Sequence, residues 1–187
     1  EGRASACYRK GDMDGAIADY TKAIELDPKL AEAYSYRGSA YGKKGNLDKA
    51  ITDCTEAIRL DPKSSYAHSS RGNAYLRKGE PDKAIADYTE SIRFAPRDAQ
   101  AYWGRGAGYS DKKEFDKAIA DCDKAIQLNP RLAEVYAVRG LAHCQKGDFD
   151  KALADCTEMI RLTPSDAQAY FTRAYAYEAK GDLEQAI

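Results

Sequence analysis

The residues from which chemistry could be built are two histidines, five cysteines and a recurring set of arginines and aspartates. A hydrolytic triad needs a nucleophile within reach of a histidine and a carboxylate that orients the ring. His68 and His143 lie far apart and neither has a phased nucleophile and carboxylate, so both read as aromatic substitutes in a core. A zinc site needs paired ligands at fixed spacing, but His143 and Cys144 are adjacent and diverge on a helix, with no second cluster to complete the set. The cysteines are odd in number and unpaired in spacing, which argues against a disulfide framework and for reducing conditions, with the cytoplasm as the expected compartment. Cys54, Cys122 and Cys156 share one rung with Tyr20 and Tyr88 and read as small core hydrophobes, spaced too widely for disulfides. Neither a glycine-rich phosphate loop nor a basic aromatic surface is present. The expectation is a chain that is not an enzyme and holds no catalytic residues, metal or cofactor.

The charged set is regular. Arg3, Arg37, Arg71, Arg105, Arg139 and Arg173 recur at one interval, as do Asp19, Asp53, Asp87, Asp121 and Asp155. Arg37 lies three after Tyr34 and four before Tyr41, while Asp53 lies three after Ala50 and four before Ala57, so helical geometry turns both toward apolar stripes. A guanidinium or carboxylate placed there alone is expensive, which predicts Arg–Asp pairs, within a unit or across to the next. A phosphate-gripping row of arginines is the competing reading, and the acid ladder of equal period weighs against it.

That regularity belongs to the elements. Pro28, Pro62, Pro96, Pro130 and Pro164 fall at an unbroken spacing of 34. Four complete units follow, 31–64, 65–98, 99–132 and 133–166, between partial units 1–30 and 167–187. In each unit an apolar pattern such as Tyr34, Gly38, Tyr41 runs at helical spacing and stops near a glycine: Gly11, Gly45, Gly79, Gly147 or Gly181. A second pattern, Ala50, Ile51, Cys54, Ala57, Ile58, ends before the proline, which cannot continue the hydrogen-bond ladder. Each unit is therefore helix, turn, helix. Asp14, Asp48, Asp82, Asp116 and Asp150 stand where a second helix starts and its dipole favours an anion. A lone unit has too few apolar side chains to fold, so neighbours must stack to share a core. Local departures are Lys113 in place of a turn glycine, which suggests a tighter or strained turn; Pro81 at a helix start, where its missing N–H is tolerated; His68 in the Tyr34 series; His143 and Cys7 in the Tyr41 series; and Ala174 in the Gly140 series.

The sequence Tyr34, Gly38, Tyr41, Ala50, Cys54, Ala57, Pro62, repeated as Tyr102, Gly106, Tyr109, Ala118, Cys122, Ala125, Pro130, resembles the tetratricopeptide repeat family over essentially the whole chain. The resemblance implies an all-α fold, a right-handed α-solenoid of stacked antiparallel helix pairs, whose first helices line a concave groove that binds proteins or peptides. Family members that hold the acidic tails of heat-shock chaperones use a clamp of Lys, Asn, Asn, Lys and Arg. The matching positions here are Ser35, Ser39, Ser70, Gln100 and Gly104, or one unit later Ser69, Asn73, Gly104, Glu134 and Val138, so that clamp is not expected.

Ligand contact is expected on the stripe of the first helices opposite the core. Tyr36, Tyr66, Trp103, Phe171 and Tyr175 supply aromatic contact area, and Asn73, Arg77 and Gln100 can address backbone and carboxylate groups. The competing expectation is that individual rings pack against neighbouring helices. With 29 basic and 30 acidic residues the net charge is −1, which provides no field for nucleic acid or an anionic membrane. No apolar run reaches transmembrane length. The chain opens inside a first helix and ends early in a second, reading as a fragment. A protein-binding scaffold is the leading expectation; end-to-end self-association, or service as the recognition arm of a larger enzyme, are the alternatives.

Overall fold

A computed structural model describes residues 12–182; the expectations for Arg3, Cys7, Gly11 and the partial helices at the two ends lie outside the described residues. Among the described residues there are ten α-helices and no strand. They fall into two compact units, one ending at Pro96 and the other beginning at Arg97.

The first unit contains α1 (Met13–Leu26), α2 (Ala31–Lys43), α3 (Leu47–Leu60), α4 (Ser65–Arg77) and α5 (Pro81–Phe94). The second contains α6 (Ala99–Asp111), α7 (Phe115–Leu128), α8 (Ala133–Lys146), α9 (Phe149–Leu162) and α10 (Ala167–Lys180). Within each unit every helix packs against the next, and first helices also meet one another: α2 with α4, α6 with α8, and α8 with α10. Within each unit the first helices thus form one layer.

Local sequence sets these boundaries. Asp12, Ser64, Asp98 and Asp166 cap the helices that follow them, each accepting a backbone N–H of the first turn. Pro81 occupies the first turn of α5, where no backbone partner is lost. Three second helices run out into Asx turns, with Asp27, Asp61 and Asn129 accepting from Lys29, Lys63 and Arg131 two residues on. First helices close on a left-handed residue, glycine at Gly45, Gly79 and Gly147 but Lys113 at φ 61°. The Lys113 turn is not tighter than its counterparts. Lys113 N–H donates to Ser110 and Glu114 N–H to Tyr109, each at 2.9 Å, matching the bonds from Gly79 to Leu76 and from Glu80 to Tyr75. The difference is the strain of a side chain in the left-handed region.

The core is built of small residues, which lets helices approach closely. Ala16, Ala40, Ala50, Ala57, Ala84, Ala118, Ala125 and Ala152 are fully buried. A methyl added at Gly38 would stand 2.7 Å from Cys54 Sγ and 3.1 Å from the Ala50 carbonyl, so the α2–α3 contact requires glycine there.

Candidate functional site

The arginine and aspartate rungs tie each helix pair together. Arg37 Nε and Nη2 donate to Asp53 Oδ2 and Oδ1 at 2.7 and 2.8 Å. Arg71 grips Asp87 at 2.8 and 2.7 Å, and Arg105 grips Asp121 at 2.7 and 2.8 Å. Arg139 Nη2 reaches Asp155 at 2.6 Å. These are forked, charge-assisted bonds to buried carboxylates. A third nitrogen extends rungs to the preceding second helix: Nη1 of Arg37 and of Arg71 donates to Thr21 and Thr55, each at 3.1 Å, and Nη1 of Arg139 donates to Asp123.

Electrostatics follow from this geometry. Burial pushes the Asp87 carboxyl up, but hydrogen bonds from Arg71 and His68 outweigh it and hold the group below its ordinary value. At Asp155 burial wins and the carboxyl is raised, with the nearby Asp123 charge acting in the same direction against Arg139. Hydrogen bonds donated to Asp53 and Asp121 raise the Arg37 and Arg105 guanidinium groups further above their already high values. The forks are occupied by carboxylates of the chain itself, which leaves those edges unavailable to an external phosphate or acidic peptide.

His68 stands in for a tyrosine. Tyr136 and Tyr170 hydroxyls donate to the Pro130 and Pro164 carbonyls at 3.0 and 3.1 Å, and His68 Nε2 meets the Pro62 carbonyl at 3.2 Å. A carbonyl only accepts, so Nε2 donates to it. Its Nδ1 faces Asp87 at 3.4 Å. His143 is also buried, with Nδ1 3.5 Å from Asp148. Burial pushes the Cys54 and Cys122 thiols up to about 12 and Cys156 to about 11, the opposite of an activated nucleophile. Among the described residues no group of metal-ligating side chains comes together.

The expected groove residues separate into those that converge and those that do not. Tyr36 stacks on Tyr20 at 5.6 Å and meets Tyr66 at 4.8 Å between ring centroids, and it also packs on the Ala16–Tyr20–Ala33 core. Asn73 and Arg77 line a cleft of about 240 Å³ between α2 and α4, together with Ser39, Gly42, Lys43, Ser70 and Ala74. In the second unit Trp103 lines a cleft of about 520 Å³ with Glu134, Val138, Met159 and Gln168 among others. Trp103 also packs on the Cys122–Ala125–Val135 core. A second cleft of about 270 Å³ shares Val138 and Gln168 and adds Leu141 and Thr172. Gln100, Phe171 and Tyr175 line none of these clefts; Phe171 and Tyr175 are exposed on α10.

Two features escaped the sequence reading. Met159 and Thr163, from a second helix and the turn after it, line the Trp103 cleft. Lys44, Lys78, Lys146 and Lys180 pair with Asp14, Asp48, Asp116 and Asp150, each from the unit before. Both series share the 34-residue spacing, and that was the available signal.

An all-helical chain of paired helices whose first-helix layers carry clefts defines an interaction module. The chain belongs to the tetratricopeptide repeat family: repeat profiles match residues 4–45, 31–64, 69–133, 106–176 and 167–187. Among solved structures, a MamA protein is 30% identical over 88% of this chain and 90% of its own, with a TM-score of 0.71. YrrB, described as a repeat protein with an unusual peptide-binding site, is 22% identical over 90% of this chain and 87% of its own, with a TM-score of 0.72. PilW, a type IV pilus biogenesis factor, is 19% identical over 98% of this chain and 85% of its own, with a TM-score of 0.89. The last two likenesses establish fold alone. No curated protein gives a significant match. Among the described residues no helix is long and apolar enough to cross a membrane.

Proposed function

We propose that this chain is a non-enzymatic scaffold that holds a segment of a partner protein or peptide against its first-helix faces. The observation that carries the reading is the position of the clefts: the one lined by Asn73 and Arg77 opens between first helices, and the one lined by Trp103 and Val138 opens between first helices with Met159 of a second helix in its wall. Each combines apolar area with a few polar groups, the composition that anchors side chains and addresses main-chain amides. YrrB, which shares the fold, is described by its peptide-binding site, and that supports the reading here by analogy.

The test is retention of short degenerate peptides on the immobilised chain, followed by titration of the retained sequences. Trp103 is the one tryptophan, so its fluorescence reports occupancy of the second-unit cleft directly. Binding should shift that emission and weaken by roughly tenfold or more in Trp103→Ala or Tyr66→Ala, the loss expected at an aromatic anchor. Peptides that bind with unchanged affinity to both variants, with melting curves matched, would place the interaction elsewhere.

A further inference from the structure

We propose that the α2–α4 cleft selects an acidic side chain, Asp or Glu, of the bound segment; this rests on the groove reading above. The cleft's lining is one-sided. Its polar side chains are Ser39, Ser70, Asn73, Lys43 and Arg77, with no carboxylate among the lining residues. The second-unit clefts differ, since Glu134, Asp166 and Asp111 face into them.

Two of these donors are held in place by the fold. Buried Tyr88 on α5 donates its hydroxyl to Asn73 Oδ1 at 2.9 Å, which commits that oxygen and leaves the amide N–H₂ as the group Asn73 offers. Arg77 Nη1 donates to the Gly42 carbonyl on the facing helix, anchoring the guanidinium across the cleft with further N–H donors on its fork. A planar fork beside an oriented amide matches a carboxylate, which accepts through both oxygens. Lys43 adds charge from the opposite wall.

The site shares Ser39, Ser70 and Asn73 with the positions compared for the chaperone-tail clamp of the family, but its charges, Lys43 and Arg77, stand one helical turn beyond them. The neighbouring contact favours a side chain over a chain terminus. Tyr36 and Tyr66 meet on the same two helices one turn earlier, so a segment crossing the rings continues through the cleft.

The experiment compares N-acetylated, C-amidated degenerate peptides that carry a fixed central Glu, Gln or Lys, and a neutral pool with a free C-terminus. The Glu pool should bind the wild-type chain about tenfold more tightly than the Gln pool, about 1.4 kcal/mol. That preference should shrink as salt rises and vanish in Arg77→Gln. Lys43→Gln provides a second reading should Arg77→Gln fail to fold, and melting curves check both. Equal retention of the Glu and Gln pools, a Glu preference that survives both variants, or preference for the free C-terminus would each overturn the inference while leaving the groove reading intact. Failure of every pool to bind would remove the groove reading, and this inference with it.

Discussion

Replacing Arg71 by Ala is the sharpest test of what the rungs do. The guanidinium is fixed by two bonds to Asp87 and one to Thr55, and Asp87 is 5% exposed. Truncation leaves that carboxylate with His68 as its remaining partner at 3.4 Å. Breaking a buried ion pair on one side costs roughly 3–5 kcal/mol. Arg71 keeps 19% of its side chain in water, so the lower end, about 3 kcal/mol, is expected here. In a chain of this length that is roughly 6–12 °C in melting temperature. The pair replaced together, Arg71→Met with Asp87→Leu, should return to within about 1 kcal/mol of wild type, because no charge is left buried. Urea unfolding followed by far-UV circular dichroism reads Arg71→Ala and the four proteins of the cycle, wild type, Arg71→Met, Asp87→Leu and the double variant, and the cycle should show a coupling of about 2 kcal/mol. An Arg71→Ala chain as stable as wild type, but with weakened peptide binding, would mean that the arginine serves a ligand and not the helix pair.

Acid should erase that difference. Asp87 has a folded value below its unfolded one, so its stabilisation is complete above the unfolded value near ~3.9 and is lost as pH falls through the folded value; the wild-type and Arg71→Ala midpoints should converge there. Lys113→Gly should stabilise the chain by roughly 0.5–1 kcal/mol in thermal unfolding, since it relieves a φ of 61° that glycine adopts freely. Gly38→Ala should destabilise by roughly 1–3 kcal/mol because its methyl meets Cys54 and backbone, whereas Gly140→Ala, whose tightest contact is 3.3 Å to Asp155 Cβ, should lie within about 1 kcal/mol of wild type. Thiol reagents at mildly alkaline pH should leave Cys54 and Cys122 unlabelled until the chain is denatured, as read by peptide mass spectrometry.

The helices were the most legible part of this molecule, because the signals that set them are local. Gly45, Gly79 and Gly147 mark left-handed ends, and the units drawn from the prolines open on Ala31, Ser65, Ala99 and Ala133, each the first residue of a helix. Contacts between units were harder to read. The aspartates at the second-helix starts were understood through the helix dipole, yet four of them also accept a lysine thirty positions on, and no pattern within one helix reveals that distance. The stripe proposed for ligand contact could be drawn as a helix face and not as a set of cavities. Periodicity says which way Trp103 and Gln100 point, but a cleft depends on how far apart two helices stand and on what a third inserts, as Met159 does. Arg71 shows both limits together: its turn toward the core follows from spacing, while the reach to Thr55 depends on how one unit stacks on the last.

The rung occupied by Tyr88 connects core packing to the proposed cleft. Four other units place Tyr20, Cys54, Cys122 and Cys156 at this position, and the cysteines end in the core. Tyr88 is as buried as they are, but its phenol extends past Gly72, where an added methyl would lie 3.1 Å from the ring, and reaches Asn73 on the inner face. The residues equivalent to Asn73 are Ser5, Ser39, Ala107, Leu141 and Tyr175, so the amide occurs once, in a unit whose core rung is a tyrosine. A buried side chain thereby determines which donor the cleft presents. Tyr88→Phe isolates the link. It removes one oxygen from a packed ring, so helix content should be retained, while the Asn73 amide becomes free to rotate and the Glu-over-Gln preference should fall. If Tyr88→Phe binds both pools as the wild type does, the hydroxyl serves the core alone and Asn73 is oriented by other means.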